Sequence, residues 1–128
     1  MQYSFDKILD MPFDDALNRV VAELKKEGFG VLTDIDVQTT LKKKLDVNFR
    51  KYRILGACNP PFAYKALQAE RRIGTMLPCN VIVQETDAGQ IEVSAIDPIA
   101  SMRAIENPNL REIADQVRDK LKKVIERL

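Results

Sequence analysis

Apolar and polar side chains alternate over Tyr3-Ser4-Phe5-Asp6-Lys7-Ile8, the period-two signature of a half-buried strand. The period then changes. Phe13, Leu17, Val20, Val21 and Leu24 fall on one face at helical spacing, after a Pro12-Phe13-Asp14-Asp15 opening whose carboxylates suit a helix amino terminus. Gly28 is a natural stop for that helix. Residues 29–35 (FGVLTDI) read as the next strand, and residues 37–45 as a short helix with Leu41 and Leu45 inward and Lys42, Lys43 and Lys44 in its last turn. Residues 48–55 (NFRKYRIL) alternate again and predict a further strand.

The second half is punctuated by proline and asparagine. Gly56 to Pro60 forms a corner, and residues 61–70 are alanine-rich and helix-permissive with Pro61 in the first turn. The clearest hairpin pairs residues 80–85 with 90–96 across Asp87-Ala88-Gly89. Asp97-Pro98 ends that strand, and residues 99–105 form a connector. A final helix begins at Asn107-Pro108, with Leu110, Ile113, Ala114, Val117, Leu121, Val124, Ile125 and Leu128 on one broad apolar face. Strand, helix, strands, helix is the order of an α+β fold, an antiparallel sheet with its helices on one face. The open face of such a sheet is where a second copy would pack.

Length and charge narrow the classes. The chain of 128 residues suits a single domain spanning 1–128. Twenty Lys+Arg against 19 Asp+Glu predict no general attraction to nucleic acid or to a membrane surface. No apolar run is long enough for a membrane span, and MQYSFDKIL has neither the basic nor the apolar region of a secretory signal. A cytoplasmic location is the expectation, and with it two free thiols rather than a disulfide. The chain has no histidine, which removes the usual general base near neutral pH and the commonest nitrogen ligand for transition metals. This leans against enzymatic activity, and no catalytic residue, metal or cofactor is predicted.

Candidate chemistry centres on Ala57-Cys58-Asn59-Pro60-Pro61 and Leu77-Pro78-Cys79-Asn80, which carry the only two cysteines. Proline fixes φ and asparagine tolerates turns, so both cysteines are expected at chain corners, outside regular elements. A helix starting near Pro61 would favour a Cys58 thiolate, with Arg71 and Arg72 adding to the field. The plainer alternative is two small buried residues. The 21-residue spacing matches no common zinc or CxxC motif.

Asn59, Asn80 and Asp97 stand at strand ends, where they either line one cleft or simply cap and close turns. The basic stretch Lys42 to Lys44 with Arg50, Lys51 and Arg53 reads as a solvated face before a phosphate contact. Tyr64 and Met76 read as core or interface.

Taken together, residues 54–67 (ILGACNPPFAYKAL), 74–83 (GTMLPCNVIV) and 93–98 (VSAIDP) resemble the domain-of-unknown-function 302 family. The stretch GFGVLTDID and the final amphipathic helix are also similar, so the likeness covers essentially the whole chain. The resemblance implies a curved antiparallel sheet like a single TATA-binding-protein-type repeat, and a homodimer; it supplies no activity. The functional expectation is a small-molecule ligand bound at Cys58, Asn59, Pro60, Cys79, Asn80 and Asp97. The alternatives are a thiol-based redox or sulfur-carrier role, with Cys58 as nucleophile, and a homodimeric interaction module.

Overall fold

A computed structural model describes residues 2–128. The chain runs β1 (Ser4–Leu9), α1 (Phe13–Lys26), β2 (Gly30–Asp36), α2 (Val37–Leu45), β3 (Tyr52–Cys58), α3 (Pro60–Ala69) and a short 3-10 helix (Ile73–Met76). It continues through β4 (Cys79–Glu85), β5 (Ile91–Ile96), α4 (Pro98–Ser101) and α5 (Pro108–Glu126). The five strands form one antiparallel sheet in the order β1-β5-β4-β3-β2, with β1 and β2 as open edges. This is the α+β architecture expected from the sequence. Among the described residues, no helix is long and apolar enough to cross a membrane.

Strand register explains which face is covered. Phe5 pairs with Ala95, Ala95 with Val81 and Val81 with Leu55, a row facing the helices. One residue along, Asp6, Ser94, Ile82, Ile54 and Ile35 form the next row and point the other way. On the covered face, Ala16, Val20 and Leu24 of α1 and Val117, Leu121, Val124 and Ile125 of α5 join the sheet residues in one core. The helical periodicity of α1, and of α5 from Val117 onward, packs on this layer, while Leu110 and Ala114 of α5 belong to a second buried cluster.

The turn after α1 is chemically specified. Gly28 has φ +85°, donates to the Lys25 carbonyl at 3.0 Å, and is followed by Phe29 donating to the Leu24 carbonyl at 3.0 Å. That pair is a Schellman closure, which needs the left-handed residue that glycine supplies. It delivers Phe29 into the core.

Several expectations are corrected. The strand expected over residues 48–55 instead spans Tyr52–Cys58. Its supposed first half is a loop in which the Arg50 guanidinium lies 4.4 Å from the Phe49 ring centroid and 5.4 Å from that of Tyr52. The interleaved rings and cations there form a cation–aromatic stack and not a pleat. Leu45 is exposed, because α2 buries no residue at all. Tyr64 is also exposed, which removes the core half of its core-or-interface reading. Neither cysteine lies outside regular structure, since Cys58 ends β3 and Cys79 begins β4. The ladder runs up to Cys58, two residues before Pro60, and begins again at Cys79, directly after Pro78.

Candidate functional site, an apolar cavity at the end of β3 and β4

The core is split. Besides the main layer, Ala66, Ile73, Met102, Leu110 and Ala114 form a second buried cluster beneath α3. Between the two lies a cavity of about 300 Å³. Phe29, Ala57, Cys79 and Val117 of the main core line one side; Ala66, Met102, Leu110 and Ala114 of the second cluster line the other.

Local sequence makes this gap. On α3, Phe62, Ala63, Ala66 and Leu67 present one stripe, and on α5, Leu110, Ile113, Ala114 and Val117 present another. Alanine at 63, 66 and 114 places methyl groups where longer side chains would meet, so the helices frame space without filling it. Pro60 and Pro61 begin α3 and fix its departure from β3. They also remove two of the four amide donors at that helix end, leaving little capacity to hold an anion or a thiolate there.

Cys58, Asn59 and Cys79 all line the cavity. Cys58 is half-buried and Cys79 buried; both are free thiols. Register sets Cys79 opposite Ala57, so Cys58 stands one residue further along the neighbouring strand. Burial pushes the Cys79 thiol up to about 11, and the proximity of Cys58 adds to the shift. Asn59 is buried, and its Nδ2 donates to the Glu27 carbonyl at 3.0 Å. Its amide thus fastens the β3–α3 corner to the turn after α1.

The remaining predicted residues do not converge on the cavity. Pro60 is exposed at the first position of α3 and is not part of the lining. Asn80 belongs to the opposite side of the sheet, in a shallow concavity with Tyr52, Ile82, Gln84 and Ser94. Asp97 caps α4, its Oδ1 accepting from the Ile99 amide at 3.0 Å, while its Oδ2 accepts from Arg118 Nε at 3.1 Å. The single cleft expected for Asn59, Asn80 and Asp97 is therefore absent: one lines the cavity, one the other sheet face, and one a helix cap. Among the described residues, no cluster of three or more His, Cys, Asp or Glu side chains stands together to hold a metal ion.

Sequence reasoning missed most of the walls. Leu32, Phe62, Leu67, Leu77, Met102 and Ile113 line the cavity and carry no sequence signal beyond being apolar. Leu32 is the least obvious. Val31 pairs with Ala57 and Thr33 with Gly56, so Leu32 is the extra residue of a β-bulge on an edge strand. It is 68% exposed and still lines the cavity, which places it at the mouth. The alanine-punctuated stripes of α3 and α5 were the available sign of a gap.

The sequence matches the family described as Domain of unknown function DUF302 over residues 5–128. No curated protein matches it. Among solved structures, it is similar to the crystal structure of an uncharacterized conserved DUF302 protein from Bacillus stearothermophilus. That likeness has a TM-score of 0.92 and 26% identity, and covers 99% of this chain and 98% of the other. The chain belongs to the DUF302 family.

Proposed function

We propose that this DUF302 protein is a binding domain that takes a small, largely apolar molecule into the cavity between its two buried clusters. The split core carries the reading. Protein interiors are packed nearly as densely as organic crystals, so a gap of about 300 Å³ costs contacts that a well-filled core would make. Ligand pockets are typically concave, mostly apolar and roughly 300–1,000 Å³, with a few polar groups fixing orientation.

The residues take distinct parts in this reading. Cys58 and Cys79 supply polarisable, nonpolar wall. Asn59 keeps the corner in place through Glu27, one of its two amide N–H donors already committed. Asn80 and Asp97 have no part in it. A cytoplasmic setting, with both thiols reduced, belongs to the same proposal. In the thiol-exchange alternative Cys79 is a poor partner for Cys58, because a thiol pushed up to about 11 offers almost no thiolate near neutral pH.

Filling the cavity tests the reading. An environment-sensitive apolar fluorophore should bind the native protein saturably, at one site per chain. Ala66→Phe, or the smaller Ala114→Leu, should abolish that binding while the circular dichroism spectrum stays native. Undiminished binding in both folded variants would dismiss the cavity as the site.

A further inference from the structure

We infer that the cavity's ligand is an anionic amphiphile, with hydrocarbon inside and a negative head at the α3 wall. This rests on the reading of the cavity as a binding site.

The lining contains no carboxylate and no ammonium, so a charge cannot be matched inside. The segment that walls it, residues 60–78, carries Lys65, Arg71 and Arg72 against Glu70 alone, a net +2 (three minus one) in a chain of net +1. Among the described residues, none of these three cations has a carboxylate within ion-pair distance. Glu112 shares the α3–α5 groove with Lys65 but lies beyond that distance.

The Lys65 Nζ lies 5.7 Å from the centroid of the Phe62 ring, and the Lys120 Nζ lies 5.9 Å from it. Phe62 itself lines the cavity. Lys120 is shared with Glu27 at 3.8 Å, whereas Lys65 has its charge free. Leu32 and Leu67, both exposed, line the same cavity and give a hydrocarbon chain an apolar way in. An apolar interior beside the unpaired Lys65, on a wall segment of net positive charge, selects for an apolar body ending in an anion.

Isothermal titration at low ionic strength with four ten-carbon probes, decanoate, decyl phosphate, decanol and decylammonium, tests this on the native chain. The anionic probes should bind about fivefold tighter than decanol, and decylammonium more weakly than either, the size expected for exposed charges. Whichever anionic probe binds tighter identifies the head. In a Lys65→Gln/Arg71→Gln/Arg72→Gln variant, decanol should bind unchanged while the preference for anions disappears. The preference should also shrink as salt is added. Equal binding of decanoate and decanol, tighter binding of decylammonium, or a preference that survives in the variant would overturn the anionic head and leave the cavity reading standing. Failure of all four probes to bind would overturn both.

Discussion

Asn59 reaches across the fold to donate from Nδ2 to the carbonyl oxygen of Glu27, 3.0 Å away and 32 positions earlier in the sequence. The contact ties the start of α3 to the Schellman turn that ends α1, and so fixes one end of the cavity. A methyl group at Gly28 would stand 3.1 Å from the same Nδ2, so turn and amide fit closely together.

Truncating that amide exposes its value. Asn59→Ala leaves the Glu27 carbonyl without its partner, at a cost of about 1–3 kcal/mol. Urea denaturation should show a lowered midpoint with an unchanged slope. A change below 0.5 kcal/mol, on the scale of an ordinary surface substitution at about that size, would mean that the contact contributes little.

Gly56 is required for a different reason. It sits in β3 opposite Thr33 and Asn80, and a methyl group there would collide with Thr33 Oγ1 and stand 2.7 Å from Pro78 Cγ. Gly56→Ala should destabilise by about 1–3 kcal/mol. Adding Thr33→Ala should recover only part of the loss, because the Pro78 ring still blocks the site. Full recovery in the double variant, read by thermal unfolding, would assign the whole clash to Thr33.

How far the sequence could be read follows from such contacts. Apolar periodicity located α1 and α5 because their buried faces repeat at helical spacing, and the glycine-containing turn at Asp87-Ala88-Gly89 located the β4–β5 hairpin. The Phe49-Arg50-Lys51-Tyr52 stretch misled because aromatic rings interleaved with cations suit a ring–guanidinium stack as well as a pleat. Cys58 and Asn59 were recognisable as special through their prolines, and they do stand at the cavity. Asn80 was misplaced, since one residue along a strand decides the face and the start of β4 could not be fixed from the sequence. Beyond the alanine-punctuated stripes of α3 and α5 the cavity left no sign, because a void is the absence of side-chain volume between residues distant in the chain.

Acid should weaken the junction of α1 and α5. Lys26 holds the Glu23 carboxyl below the usual glutamate range, with Arg127 reinforcing it, and Arg127 does the same for Glu27. The Arg127 guanidinium reaches Glu23 Oε2 at 3.2 Å and Glu27 Oε2 at 2.8 Å. Carboxyls depressed in the folded state contribute stability that is present above the unfolded value, about 4.3, and is lost as the pH falls through the lower folded one. Thermal midpoints should therefore drop on acidification from pH 5 to pH 3, a window set by that range of about 4. Arg127→Gln should flatten the decline. An identical acid slope in the variant would remove Arg127 from the account.

The two thiols should react unequally. With Cys79 buried and its thiol pushed up to about 11, brief iodoacetamide treatment at neutral pH should modify Cys58 and spare Cys79. Peptide mass spectrometry reads the site directly. A bound apolar molecule should slow modification of Cys58, which lines the cavity. Preferential labelling of Cys79 would contradict the burial described here.

The most direct test of the central claim is methyl nuclear magnetic resonance of the native protein titrated with decanol. Binding in the cavity predicts saturable shifts for Leu67, Leu77, Leu110, Ile113 and Val117, which line it, and none for Ile8 or Ile82, which lie outside it. Shifts confined to the open sheet face, or no saturable shift at any of the lining methyls, would contradict it.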